Sequence, residues 1–192
     1  MFKVTMIGAG SVVFVKNLLT DILDFEALRD VTIALHDIDA ERLETAGLMA
    51  QWTAAQFSAH PQIELHADRR AALDGADFVI NMVQIGMHEA TLIDFDIPRR
   101  YGLKQTIADT LGIGGIFRGL RTIPFMTALV ADMRDVCPDA LLLNYTNPMS
   151  ILTQAVYEAF PEQKVVGLCH NIQNTARDLA GYLGCLLYTS PS

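Results

Sequence analysis

Positive charge is scarce in this chain: 14 Lys and Arg stand against 22 Asp and Glu, a formal net charge of −8. Nucleic acid and anionic membrane both reward clustered basic side chains. No basic run or basic–aromatic interleaving is present, so neither is expected as a partner. Cysteine is sparse as well. Cys137, Cys169 and Cys185 are odd in number and widely separated, which does not fit a disulfide framework. Long apolar runs are missing too. No segment approaches the roughly 18 uninterrupted apolar residues of a membrane span. The opening MFKVTMIGAG lacks the charged n-region, longer apolar stretch and cleavage site of a signal peptide. These absences point to a reduced, cytoplasmic protein. What the chain does have is apolar residues, 51% hydrophobic against 19% charged, the balance of a packed globular protein.

The apolar runs alternate with helix-length amphipathic segments. Strands are predicted over 2–8, 31–37, 63–67, 77–84, 140–146 and 164–169. Helices are predicted over 11–25, 40–57, 116–136, 148–160 and 171–183, with a short one at RRAALDG and a polar segment after the fourth strand. Strand–helix alternation with continuously apolar strands implies a parallel sheet covered on both faces. The expected fold class is therefore α/β, a Rossmann-like doubly wound parallel sheet. In such sheets ligands bind beyond the carboxyl ends of the strands, where every motif considered below falls. The last residues, CLLYTSPS, build no further element after a helix cap at Gly184. The expectation is one domain over 1–184 and a truncated or non-native tail over 185–192.

The first strand runs into IGAGS. Gly8 and Gly10 permit a tight turn whose backbone N–H groups can approach a pyrophosphate at a helix N-terminus. The fingerprint is incomplete, since Val13 holds the third glycine position. Asp37 ends the second strand, where a carboxylate accepts hydrogen bonds from both ribose hydroxyls and disfavours a 2′-phosphate, so NAD is expected over NADP. A tight turn with a helix-capping aspartate is the alternative. Asn81 and Gln84 end the fourth strand and are expected near the nicotinamide half of the cofactor. Gly112, Gly114 and Gly115 can expose backbone N–H groups to a ligand, and Arg118 and Arg121, one turn apart, can hold an oxygen-rich one. A lid with a solvated arginine face is the alternative there. Asn147 can donate to and accept from sugar hydroxyls, or serve the turn before Pro148. Cys169 and His170 end the sixth strand. A thiolate and imidazole at that edge suit a transition metal or a Cys–His nucleophile pair, but one cysteine cannot complete a metal site.

Taken together, IGAGS, LHDID, the QIG after the fourth strand, QTIADTLGIGGIFRGLRTIP, CPDALLLNYTNPM and VGLCHNIQ resemble glycoside hydrolase family 4 in its α-galactosidase (melibiase) branch. That family comprises NAD- and manganese-dependent glycosidases related in fold to lactate and malate dehydrogenases, and it departs from two-carboxylate hydrolysis. The resemblance covers residues 1 to about 184. It implies α-galactoside hydrolysis through transient oxidation at the sugar's C3, loss of the C2 proton, departure of the glycosidic oxygen, water addition and return of the hydride. A divalent metal, Mn2+ or another transition ion, stabilises the enediolate. Carried over by position, Cys169 is the metal ligand, His170 assists the leaving group and Asn147 binds substrate. Gly8, Gly10, Ser11 and Asp37 form the NAD site, and Asp109 lies in the active-site loop. His170 favours unphosphorylated sugars. The family's second metal ligand, its proton-abstracting base and its C-terminal substrate domain are absent from this chain, so an incomplete, poorly active fragment of a homo-oligomeric enzyme is expected. The rivals are an NAD-dependent 2-hydroxy acid dehydrogenase of the malate or lactate type and a non-catalytic NAD-binding fragment.

Overall fold

The computed structural model describes residues 2–169 and 171–184. At its centre lie β1 (Lys3–Ile7), β2 (Thr32–His36), β3 (Gln62–His66), β4 (Phe78–Asn81), β5 (Leu141–Asn144) and β6 (Val165–Gly167). They form one parallel sheet in the order β3-β2-β1-β4-β5-β6. The order reverses between β1 and β4, which opens a crevice at the carboxyl ends of those two strands. The connecting helices are α1 (Val12–Asp24), α2 (Ala40–Gln56), α3 (Arg69–Leu73), α4 (Met87–Arg100), α5 (Gly112–Val136), α6 (Met149–Ala159) and α7 (Asn171–Leu183).

Two apolar cores account for the unbroken hydrophobicity of the strands. On one face Val79 and Leu142 pack with Met126, Leu129 and Met133 of α5 and Leu152 and Val156 of α6. On the other, Met6, Ile33, Leu35 and Ile80 pack with Val15 and Leu19 of α1 and Leu43, Ala46 and Ala50 of α2. Adjacent residues Val79 and Ile80 thus serve opposite cores, and only a strand buried on both sides can do that.

The predicted strands are all present, five a little shorter than their apolar runs and β3 of the expected length but shifted by one residue. Two differences bear on the site. The polar segment after β4 is helix α4. Its apolar Leu92 and Ile93 are 49% and 53% exposed, whereas Asp94 is 1% exposed. The buried line of the helix is Ala90, Asp94 and Pro98, with Leu92 and Ile93 outside it, so no clear apolar period marks the segment. The second difference is that α5 begins at Gly112, not near residue 116, so the glycine run is helix and not ligand-facing loop. A Cβ on Gly114 would lie 2.6 Å from the Cβ of Ala108 and 2.8 Å from the carbonyl oxygen of Asp94. The first turn of α5 packs directly on its neighbours, and glycine is what permits it.

Candidate active site at the carboxyl ends of the strands

The turn after β1 is built around Gly8, whose φ of +89° lies in the left-handed region. Its N–H and that of Ala9 both donate to the His36 carbonyl, tying the turn to β2. At Gly10 an added Cβ would lie 2.6 Å from Oδ2 of Asp37. That oxygen instead accepts the Gly10 N–H at 2.7 Å, while Oδ1 accepts the Asp39 N–H at 3.0 Å. The expected residues Gly8, Gly10 and Asp37 are therefore one cluster. Ser11, which is exposed, precedes α1 without a side-chain cap, and the first turn of α1 carries no acidic residue. Its orphan N–H groups are left for an anion. Val13 is 73% exposed, so the third fingerprint position does not face the sheet and needs no glycine. A recess of about 400 Å³ beside this turn is lined by Gly10, Asp39, Glu41 and Arg42.

A second cleft, of about 450 Å³, lies beyond the end of β4 between α4, the 106–109 stretch and α5, with Gln84, His88, Phe95, Asp109 and Arg118 among its walls. Nδ2 of Asn147 donates to Oδ2 of Asp109 at 3.3 Å, and Nε of Arg118 donates to the Asn147 carbonyl at 3.2 Å. Three predicted residues from the 105–111 loop, α5 and the β5 end thus converge. Burial lowers the Arg118 guanidinium from its ordinary value, and nearby Asp109 opposes that shift. Gln84 donates from Nε2 to the Met87 carbonyl and to Thr91 Oγ1, and so forms part of the wall.

Two predicted residues have other roles. Asn81 is wholly buried and donates to Asn144 Oδ1 at 3.0 Å and Thr146 Oγ1 at 3.1 Å. It joins the ends of β4 and β5 beneath the cleft and does not face a nicotinamide. Arg121 is turned away from the cleft: Nη1 and Nη2 hold the two carboxylate oxygens of Asp94 at 3.0 and 2.6 Å, and Nε holds the Ile85 carbonyl at 3.2 Å. That hydrogen bonding raises the Arg121 pKa. The N-terminus of α5 is partly closed from within the chain. Oε1 of Gln105 accepts the Gly114 N–H at 3.1 Å, while its Nε2 donates to the Leu111 and Ile107 carbonyls. Sequence reasoning passed over Asp94 and Gln105. The signal for Asp94 was a carboxylate in a segment with no visible partner, and for Gln105 an amide placed shortly before a glycine-rich helix start.

Cys169 lies two residues past β6, half-buried and with a free thiol. The preceding Leu168 N–H donates to the Asn144 carbonyl, so the chain still runs beside β5 there. His170 falls outside the described residues, as do 185–192. Among the described residues no group of three or more His, Cys, Asp or Glu side chains is arranged to hold a metal ion. No described helix is long and apolar enough to cross a membrane.

A parallel sheet in this order, with a glycine turn and strand-end carboxylate at its switch point, defines the class of dinucleotide-binding α/β domains. The chain is narrower than that class: the profile of the family described as Family 4 glycosyl hydrolase matches residues 3–185, and the chain belongs to that family. It is 49% identical to an alpha-galactosidase of Bacillus subtilis over 96% of its own length and 43% of that enzyme's. It is 39% identical to an alpha-glucosidase of Erwinia rhapontici, over 98% of its length and 41% of the relative's. Among solved structures, the 6-phospho-beta glucosidase of Thermotoga maritima, determined with manganese, NAD+ and glucose-6-phosphate, superposes with a TM-score of 0.83 at 25% identity. That match covers 97% of this chain and 44% of the other. The chain therefore spans less than half the length of these relatives.

Proposed function

We propose that residues 1–184 are the cofactor-binding domain of a cytoplasmic NAD-dependent glycosidase acting on unphosphorylated α-galactosides. The observation that carries this reading is the adjacency of two sites. The Gly10–Asp37 turn with the open N-terminus of α1 lies on one side of the crevice, and the Asp109–Asn147–Arg118 cluster lies on the other. Family membership and the α-galactosidase relative support it further.

The residues fit a dinucleotide. Asp37, already fixed by two backbone N–H groups, retains lone pairs for ribose hydroxyls, and the uncapped amides of α1 suit the pyrophosphate. In the sugar site Asn147 is oriented by its bond to Asp109. With Nδ2 on that carboxylate, Oδ1 is left to accept a hydrogen bond from a sugar hydroxyl. Arg118 fixes the Asn147 main chain and balances the Asp109 charge, so the cleft offers little for a phosphate. When bound, NAD+ supplies reversible hydride acceptance at the sugar's C3, and a divalent cation supplies positive charge beside the C2 and C3 oxygens. Cys169 would give that cation one thiolate, and the described residues offer no complete ligand set around it. His170 is assigned to the leaving-group side by family position alone.

The test is hydrolysis of p-nitrophenyl α-galactoside with NAD+, Mn2+ and a reductant, alongside titration of NAD+ into the protein. Binding of NAD+ with no net NADH supports the reading, and little nitrophenol is expected from a cofactor-binding domain whose described residues hold no complete metal ligand set. NADH accumulating with a 2-hydroxy acid would replace it with a dehydrogenase.

A further inference from the structure

Among the described residues Asp94 is the one buried carboxylate, and nothing in the cofactor or sugar sites uses it. A carboxylate 1% exposed persists only with a charged, well-aligned partner. Arg121 provides it through a two-pronged pair, and the third arm of the same guanidinium donates to the Ile85 carbonyl. One side chain therefore fastens α5 to α4 and to the corner that follows β4.

That corner is strained. Gly86 has a φ of +79° and Met87 a φ of +50°, a region that L side chains rarely adopt. Backbone in such a state survives where its surroundings over-determine it, and it concentrates at functional sites. Here the surroundings are Arg121 on the Ile85 carbonyl and Gln84 on the Met87 carbonyl. A side chain on Gly86 would also meet the Cβ of Ala90 at 2.5 Å. The corner carries Gln84, Met87 and His88, which form one wall of the 450 Å³ cleft.

We infer that Asp94 and Arg121 are positioning residues: their ion pair holds the Ile85–Gly86–Met87 corner, and through it the wall that meets the second half of the bound dinucleotide. The inference rests on the dinucleotide reading above. A dinucleotide across the β1/β4 crevice has its adenosine half beside Asp37, on the β2 side, and its other half beside this corner. Loosening the corner therefore weakens contacts to that second half and leaves the adenosine end intact.

Two variants test this by calorimetric titration of NAD+ and of ADP, which reaches only the glycine turn and Asp37. Arg121→Lys keeps the charge but loses the fork and the donor to Ile85, and Asp94→Asn keeps the shape but loses the charge. Circular dichroism and a cooperative melt establish that each is folded, and Arg121→Lys is the milder change should Asp94→Asn not fold. The expected result is a Kd for NAD+ raised about tenfold or more, in keeping with the loss of residues that orient a binding wall. The Kd for ADP should move by less than about twofold, as for a distant independent site. Equal losses for NAD+ and ADP in a folded variant would mean general loosening and overturn the inference, as would an unchanged NAD+ affinity. Failure of the unmodified chain to bind NAD+ overturns the dinucleotide reading itself, before any variant is made.

Discussion

The carboxylate of Asp37 bonds back to the N–H of Gly10 at 2.7 Å, so the end of β2 and the turn after β1 are a single rigid unit. Removing the acid unfastens the turn as well as the ribose contact. Asp37→Ser is expected to weaken NAD+ binding by about ten- to a hundredfold. Preference over NADP+ should narrow at the same time, because the charge facing a 2′-phosphate is gone. Parallel titrations with the two cofactors measure both effects.

Asn147 is held through its side chain by Asp109 and through its carbonyl by Arg118. Asn147→Ala leaves the main-chain bond and removes the hydroxyl acceptor. Galactose affinity of the NAD+-loaded protein should fall about tenfold, the value of one well-made hydrogen bond to a ligand. Binding of NAD+ should be nearly unchanged.

Cys137 and Cys169 should differ sharply in reactivity. Burial pushes the Cys137 thiol up to about 11, and its side chain is almost wholly covered. At pH 8 only about one molecule in a thousand carries its thiolate. Iodoacetamide applied to the native protein is expected to label the half-buried Cys169 well before Cys137, as peptide mass mapping will read directly.

Asp132 links α5 to α3 through Arg69 and Arg70. Burial alone would raise its carboxyl, but those two hydrogen bonds outweigh burial and hold it below its ordinary value of 3.8. A depressed folded pKa means stability that is present above the unfolded value and lost as pH falls through the folded one. Urea midpoints should therefore drop below about pH 4, and this acid limb should be shallower in Asp132→Asn. At pH 7 that variant should lose about 1 kcal/mol.

The sheet was legible because each strand serves two cores, which leaves an apolar run that few other arrangements explain. The closeness of Asp37 and Gly10 was legible because a glycine turn after one strand and a carboxylate at the end of its parallel neighbour fall on the same sheet edge. Asp109, Arg118 and Asn147 were visible as residues of suitable chemistry, though nothing in their order foretold the bonds among them. Arg121 was misread for a tertiary reason. Its partner, Asp94, lies on the buried line of α4 between Ala90 and Pro98, where a carboxylate interrupts the small apolar residues. Asn81 ends β4 as expected but is wholly covered, because that strand is buried on both faces.

Gln105 gives the crevice a direction. Besides α4, which follows β4 directly, α1 and α5 both begin on this side of the sheet with the positive end of a backbone dipole. At α5 the amide of Gln105 acts as a stopper, satisfying the Gly114 N–H from within the chain. At α1 no side chain does the same. The two sides of the crevice therefore do not attract negative charge equally: α1 presents uncapped N–H groups, and the first turn of α5 is partly stoppered.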